Sequence, residues 1–334
     1  MENSLRGVQR GVNLEAQNSL DLVSAAIMII QMSTRLRGLF VFVVMIVVTV
    51  SCSRDPDRAT ARKVEALIRD NQLQAAMQTT DAYLEKHPGA ISLLRLRVII
   101  ALKARQIDAA IVALQALPAD DRVLAQALSG RDPAVRSSAA QLVAENTVPL
   151  EPRYLISGLS DPVPEVRSYC ARTLGLRRER SAVKPLFEIL HDDNRFVRAE
   201  AATALGRIGD PRAAGWLALV LDDSNWLVRD SAAEALRGVV SVENRDILLA
   251  FFHKTAGEQQ LNIALALAKL AEPAALGPLT NAVTDSNADV RRLVAEALGG
   301  YESSVATNAL VLLLKDPDVD VREQAEHSLL KVRQ

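Results

Sequence analysis

Arginine and aspartate recur through this chain at a fixed interval, and theirs is the residue pattern that could do chemistry. Arg136, Arg167, Arg198, Arg229, Arg291 and Arg322 each follow a valine in a 31-residue register. Asp161, Asp192, Asp223, Asp285 and Asp316 each stand six residues ahead of one of these arginines. A guanidinium and a carboxylate form short, charge-assisted and often bidentate hydrogen bonds. Repeated in unit after unit beside helix starts, such groups read as an inter-repeat ladder that fixes stacking. A ligand site, their other use, would be expected to break the repeat. Stronger chemistry is sparse. His87, His191, His253 and His327 include no close pair and no metal-ligand spacing, and Cys52 and Cys170 are the only cysteines. No nucleophile elbow, phosphate-binding loop or dinucleotide glycine pattern occurs. The expectation is no catalytic residue, no cofactor and no metal.

The elements that position these charges are written in the neighbouring columns. Val135, Val166, Val197, Val228, Val290 and Val321 precede the arginines, with Gln259-Gln260 in register in a further unit. Five residues on come Ala140, Ala171, Ala202, Ala233, Ala264 and Ala295, then Glu326; eight on come Val143, Leu174, Leu205, Leu236, Leu267, Leu298 and Leu329. These offsets lie near one stripe of a 3.6-residue helix, and the small alanine lets a neighbouring helix approach closely. This is the second helix of each unit. Leucines such as Leu155 with Leu159, Leu186 with Leu190 and Leu217 with Leu221 mark a first helix. Asp132, Asn194, Asn225, Asn287 and Asp318 are placed to cap the second helices, and Val163-Pro164 starts another, because proline suits a first turn. Units that bury their apolar faces only against neighbours form a stacked array.

The phrases Asp192 to Gly206 (DDNRFVRAEAATALG) and Asp161 to Gly175 (DPVPEVRSYCARTLG) resemble short HEAT-like repeats of the phycobilisome-lyase type. The resemblance covers about residues 119 to 332. It implies an all-α fold, a right-handed α-solenoid of about seven 31-residue HEAT-like repeats. For function it implies little, because bilin-attaching lyases, an iron-dependent hydroxylase and plain scaffolds share such repeats. The hydroxylase binds iron through His-Glu pairs, and no His-Glu dipeptide occurs here. The lyases act on a cytosolic substrate. The fifth unit departs from the pattern, with Lys254, Gln259 and Gln260 replacing Asp, Val and Arg. A bend, a specialised contact or ordinary drift would each account for it.

Ahead of the array, residues 60 to 118 read as helical hairpins, Arg62 to Asp70 with Leu73 to Lys86 and Ser92 to Arg105 with Asp108 to Leu117. Ala76 and Ala110 lie 34 apart, so the region resembles two tetratricopeptide-like repeats. At the N-terminus, Arg35 and Arg37 precede an apolar run from Leu39 to Val50 that is too short for a spanning helix. Residues 1–51 therefore read as a leader and signal peptide, with Met32 a candidate start, and 52–59 as a tether. Thr49-Val50-Ser51-Cys52 resembles a bacterial lipoprotein signal. That resemblance implies lipidation of Cys52, export, and, with Ser53 following, the periplasmic face of the outer membrane rather than the inner.

With 39 basic and 40 acidic residues, the net charge of −1 argues against a nucleic-acid footprint. Cys170 stands in an alanine column and reads as a small buried thiol. What remains is surface. Offsets 2 and 6 of the second helices line a mostly polar face that includes Arg172, Asp230, Glu234, Arg292 and Glu296, with Leu261 and Leu265 a candidate apolar anchor. These leucines could equally pack on a neighbour. The expected role is a non-catalytic scaffold that binds an envelope protein or peptide. The alternative is an enzyme of the HEAT-like lyase or hydroxylase group.

Overall fold

The computed structural model describes residues 56–146 and 148–332. The expected leader, the lipoprotein signal with Cys52, and the tether up to residue 55 lie outside the described residues. The chain divides into two compact units at Leu96/Arg97, so the expected boundary at 118/119 falls within the second unit.

The first unit holds α1 (Pro56–Arg69), α2 (Leu73–Leu84) and the start of α3 (Ile91–Lys103). Helix α1 is described from Pro56, inside the stretch expected as tether. Asn71 ends the turn after α1 in the left-handed region (φ 57), and the Gln72 N–H donates to the Leu67 carbonyl at 2.8 Å. The Tyr83 hydroxyl donates to Asp57 Oδ1 at 2.5 Å and ties α2 to α1. Ala76 is 0% exposed, as a close helix approach requires. The same turn recurs 34 residues later, where Arg105 has φ 57 and Gln106 N–H donates to the Ala101 carbonyl at 2.8 Å.

The second unit continues from α3 through α4 (Ile107–Gln115) into seven helical hairpins. Their first and second helices are α5 (Val123–Leu128) with α6 (Pro133–Glu145), α7 (Pro152–Gly158) with α8 (Pro164–Leu176), and α9 (Val183–Glu188) with α10 (Arg195–Ile208). There follow α11 (Ala214–Val220) with α12 (Trp226–Val239), α13 (Arg245–Phe252) with α14 (Gly257–Leu267), α15 (Leu276–Asn281) with α16 (Ala288–Leu298), and α17 (Ser304–Leu313) with α18 (Val319–Val332). The caps act as their residue types require: Asp132, Asn194, Asn225, Asn287 and Asp318 accept from the backbone N–H two residues on, at 2.9–3.1 Å. Pro164 opens α8 behind Val163.

One core runs along the array. Leu155, Leu186, Leu217, Leu248, Leu279 and Leu310 of the first helices are each 0% exposed. The Val, Ala and Leu columns of the second helices face them and are buried, except that Val290 is half-buried. Glu326, which replaces the column alanine in the last hairpin, is exposed. The Ala-Leu-Gly phrase sets how closely second helices pack. A Cβ added to Gly175 would lie 2.6 Å from Ala204 Cα, and one added to Gly206 would lie 2.6 Å from Ala235 Cα. Cys170 fills a similar gap: a Cβ on Gly158 would lie 2.4 Å from its Sγ. Burial pushes that thiol's pKa up to about 12, so it is a packed sulfur and not a nucleophile.

Candidate interaction surface

The recurring charges pair from one hairpin to the next. Arg167 donates to both Asp192 oxygens at 2.7 Å, Arg198 to Asp223 at 2.7 and 2.9 Å, and Arg291 to Asp316 at 2.7 and 2.8 Å. Arg136 does the same to Asp161 at 2.6 and 3.1 Å. Each pair spans 25 residues and joins one hairpin to the next. The six-residue spacing in the sequence serves a different bond. There the guanidinium donates to the backbone carbonyl of its own hairpin's aspartate, as Arg167 does to Asp161 at 2.7 Å and Arg322 to Asp316 at 2.6 Å. Each aspartate also accepts a backbone N–H two residues on, such as Asn194 N–H on Asp192 at 2.8 Å. The aspartate is therefore a node joining its own turn to the preceding hairpin.

The electrostatics follow from these contacts. Burial alone would raise the Asp192 and Asp223 pKa values, but the arginine and backbone hydrogen bonds outweigh it and hold both below the usual carboxylate range. For Asp316 the Arg291 hydrogen bond is the largest influence, and it acts in the same direction. Arg167 and Arg198 are raised by the aspartates they bind. Arg198→Ala is expected to lower stability by about 1.5–3 kcal/mol, because a largely buried carboxylate loses its charged donor. A urea titration checks it, and an unmoved midpoint would show that the ladder adds nothing to stacking.

The fifth hairpin interrupts the ladder. Lys254 stands where Arg229 would find an aspartate; Arg229 keeps its bond to the Asp223 carbonyl at 3.1 Å, but toward the next hairpin it meets Glu258 instead, at 3.6 Å on a side chain that is 66% exposed. Gln260 occupies the arginine position and donates to the Phe252 carbonyl at 3.2 Å. Asp285 keeps its backbone contact with Asn287 at 2.8 Å, and its carbonyl accepts from Arg291 at 2.7 Å, but its carboxylate has no arginine partner among the described residues. Other bonds tie this hairpin in from its inter-hairpin turns. Asn244, 3% exposed, donates to the carbonyls of Pro211 at 3.1 Å and Val239 at 2.9 Å. Tyr301 donates to the Glu272 carbonyl at 2.9 Å.

The second helices present the polar face expected of them. Arg172, Asp230, Glu234 and Glu296 are exposed, and Arg292 and Leu261 are half-buried. Leu265 is a correction. It is 5% exposed, within a buried run from Ile263 to Ala268, and so belongs to the core rather than to an apolar anchor.

Aromatic exposure lies elsewhere, at positions the column reading passed over. Phe196 is 52% exposed and Trp226 67% exposed, at the starts of α10 and α12. Phe196 borders a groove of about 340 Å3 that crosses three second helices, with Tyr169, Glu200, Thr203, Leu227 and Ser231 among its lining residues. The Arg195 guanidinium lies over the Phe196 ring, 4.9 Å from its centroid. Burial raises the Glu200 pKa, against the pull of Arg172 and Arg207. The groove is thus part apolar, part hydroxyl-lined, with one desolvated carboxylate.

Antiparallel helical pairs, stacked in register over a continuous leucine core and stitched through successive arginines and aspartates, define an α-solenoid of repeated hairpins. Residues 152–237 and 246–330, more than half of the chain, match HEAT repeats, and the chain belongs to that family. Among solved structures it resembles the CpcE–CpcF complex of phycocyanin lyase from Nostoc sp., at 22% identity over 65% of this chain and 95% of that one, with a TM-score of 0.41. An engineered protein gives 20% identity over 83% of this chain and 84% of that one, with a TM-score of 0.45. Human deoxyhypusine hydroxylase in complex with glycerol gives 21% identity over 69% and 97%, with a TM-score of 0.28. No curated protein sequence gives a match. Among the described residues no group of three or more His, Cys, Asp or Glu side chains is placed to hold a metal ion, and no helix is long and apolar enough to cross a membrane.

Proposed function

We propose that this protein is a non-catalytic scaffold that binds a protein partner on the second-helix face of its HEAT array. The observation that carries the reading is the groove bordered by Phe196, with Trp226 exposed on the next second helix. Large aromatics left in water on a rigid face are what binding hot spots are made from. Hairpins locked by bidentate charge pairs also hold such a surface in one shape, which limits the ordering cost of binding. The partner is an envelope protein or peptide. The anchor is Cys52, lipidated after cleavage of the signal that precedes it, and the array faces the periplasm from the outer membrane.

The test is capture of the lipidated protein from cross-linked native envelopes, with metal and chromophore analysis of the same eluate. The expected result is a reproducible protein partner whose yield falls at least tenfold in the Phe196→Ser/Trp226→Ser variant, with helicity and urea midpoint unchanged. A stoichiometric metal or chromophore, with no protein partner, would instead support an enzyme of the lyase or hydroxylase kind. Anchoring is tested separately: Cys52→Ala is expected to move the protein from the membrane pellet to the soluble fraction. Continued sedimentation of that variant with membranes would contradict the lipid anchor.

A further inference from the structure

A second cleft, of about 370 Å3, lies along the ends of the second helices α12, α14, α16 and α18. It sits where the repeat is broken. At Gly175 and Gly206 the column glycine lets adjacent second helices touch backbone to backbone, but in the fourth hairpin that position is Arg237. A guanidinium has no room at such an approach, so α12 and α14 cannot close as α8, α10 and α12 do. Arg237, Lys269 and Lys331 line the cleft, together with one carboxylate, Glu296, and the apolar wall of Leu265 and Leu293.

Cations at the ends of helices commonly serve the helix dipole, and Lys269 does so, donating from Nζ to the Arg237 carbonyl at 2.7 Å. Arg237 itself does not. It is half-buried, yet its guanidinium has no hydrogen bond or ion pair among the described residues. Arg177, two hairpins back, shows what a structural arginine near this edge does: it donates to the carbonyls of Leu150 at 2.7 Å and Val148 at 2.6 Å. Glu234, Asp230 and Glu296 act on Arg237 only through space, and burial lowers its pKa. A partly desolvated guanidinium without a partner is costly unless an anion arrives to pair with it.

We infer that this cleft is a carboxylate-binding site, and that its ligand is an acidic peptide segment whose Asp or Glu side chain pairs with Arg237 while Lys269 and Lys331 receive the neighbouring charge. The site lies apart from the Phe196 groove, so the two surfaces succeed or fail separately.

The test is fluorescence anisotropy of a labelled Glu-rich octapeptide against the full chain at low ionic strength, with a Gln octapeptide and inorganic phosphate as comparators. Arg237→Gln is expected to weaken binding of the Glu peptide at least tenfold, and Arg237→Lys to keep it within about threefold of the parent. Circular dichroism on both variants verifies the fold. The Gln peptide is expected not to bind. Equal affinity of Arg237→Gln and the parent for the Glu peptide would overturn the assignment. So would equal binding of the Gln peptide, or binding of phosphate without binding of the Glu peptide.

Discussion

Leu217→Ala is expected to lower the stability of the array by about 2–5 kcal/mol, as truncation of a fully buried leucine does. Leu217 is 0% exposed on α11, between Ala214 and Ala218, which are also buried. Its neighbours across the core are columns of alanine, valine and leucine, so no flexible side chain is at hand to fill the space. In a stacked array each hairpin meets only its neighbours, and the loss falls on the interfaces of the third, fourth and fifth hairpins. Urea unfolding followed by circular dichroism measures it. The expected profile is an earlier midpoint or a new early phase, since arrays weakened in the middle unfold in stages. An unchanged midpoint would mean that the register placing Leu217 in the core is wrong.

Gly206→Val is expected to cost about 3 kcal/mol or more, at the upper end for overpacking. The obstacle is backbone. An added Cβ would lie 2.6 Å from Ala235 Cα and 2.7 Å from Ala235 Cβ, and neither can rotate out of the way. Helices α10 and α12 would have to separate, stretching the Arg198–Asp223 pair that joins the same two hairpins. Gly277→Ala is the control. It lies in α15, nothing stands within 4 Å of an added Cβ, and replacing a helical glycine there is expected to leave the midpoint unchanged or raise it slightly. If both variants behaved alike, close helix approach would not be what the column glycine provides.

Much of this fold was legible because a repeat states each rule several times. Val at offset 0, Ala at 5 and Leu at 8 specify one buried stripe, and the cap residues specify where it begins. The ladder was legible as a set of residues but not as a set of bonds. Spacing along the chain brings Asp192 and Arg198 together, whereas the carboxylate of Asp192 pairs with Arg167 of the preceding hairpin. Which hairpin an arginine reaches depends on stacking distance, which no single unit encodes. Leu265 misled for a related reason: its offset placed it on the polar face, but it is 5% exposed within the buried run from Ile263 to Ala268, and only its edge reaches the second cleft. Phe196 and Leu227 stand just before the column valine, where other units carry Glu165, Glu258, Asp289 and Asp320. Large apolar side chains in a column that is otherwise acidic save for Ala134 were the available signal for a surface patch. Arg237 in a column of mostly glycine and alanine was the corresponding signal for the second cleft.

The measurement that most directly tests the scaffold reading is site-specific photo-cross-linking of the full chain in native envelopes. One cross-linking residue replaces Leu227, at the groove on the second-helix face, and another replaces Lys184, exposed on the first helix α9. The expected result is one protein adduct that forms reproducibly from position 227 and not from position 184. Adducts forming equally from both positions, or from 184 alone, would contradict a partner seated on the second-helix face.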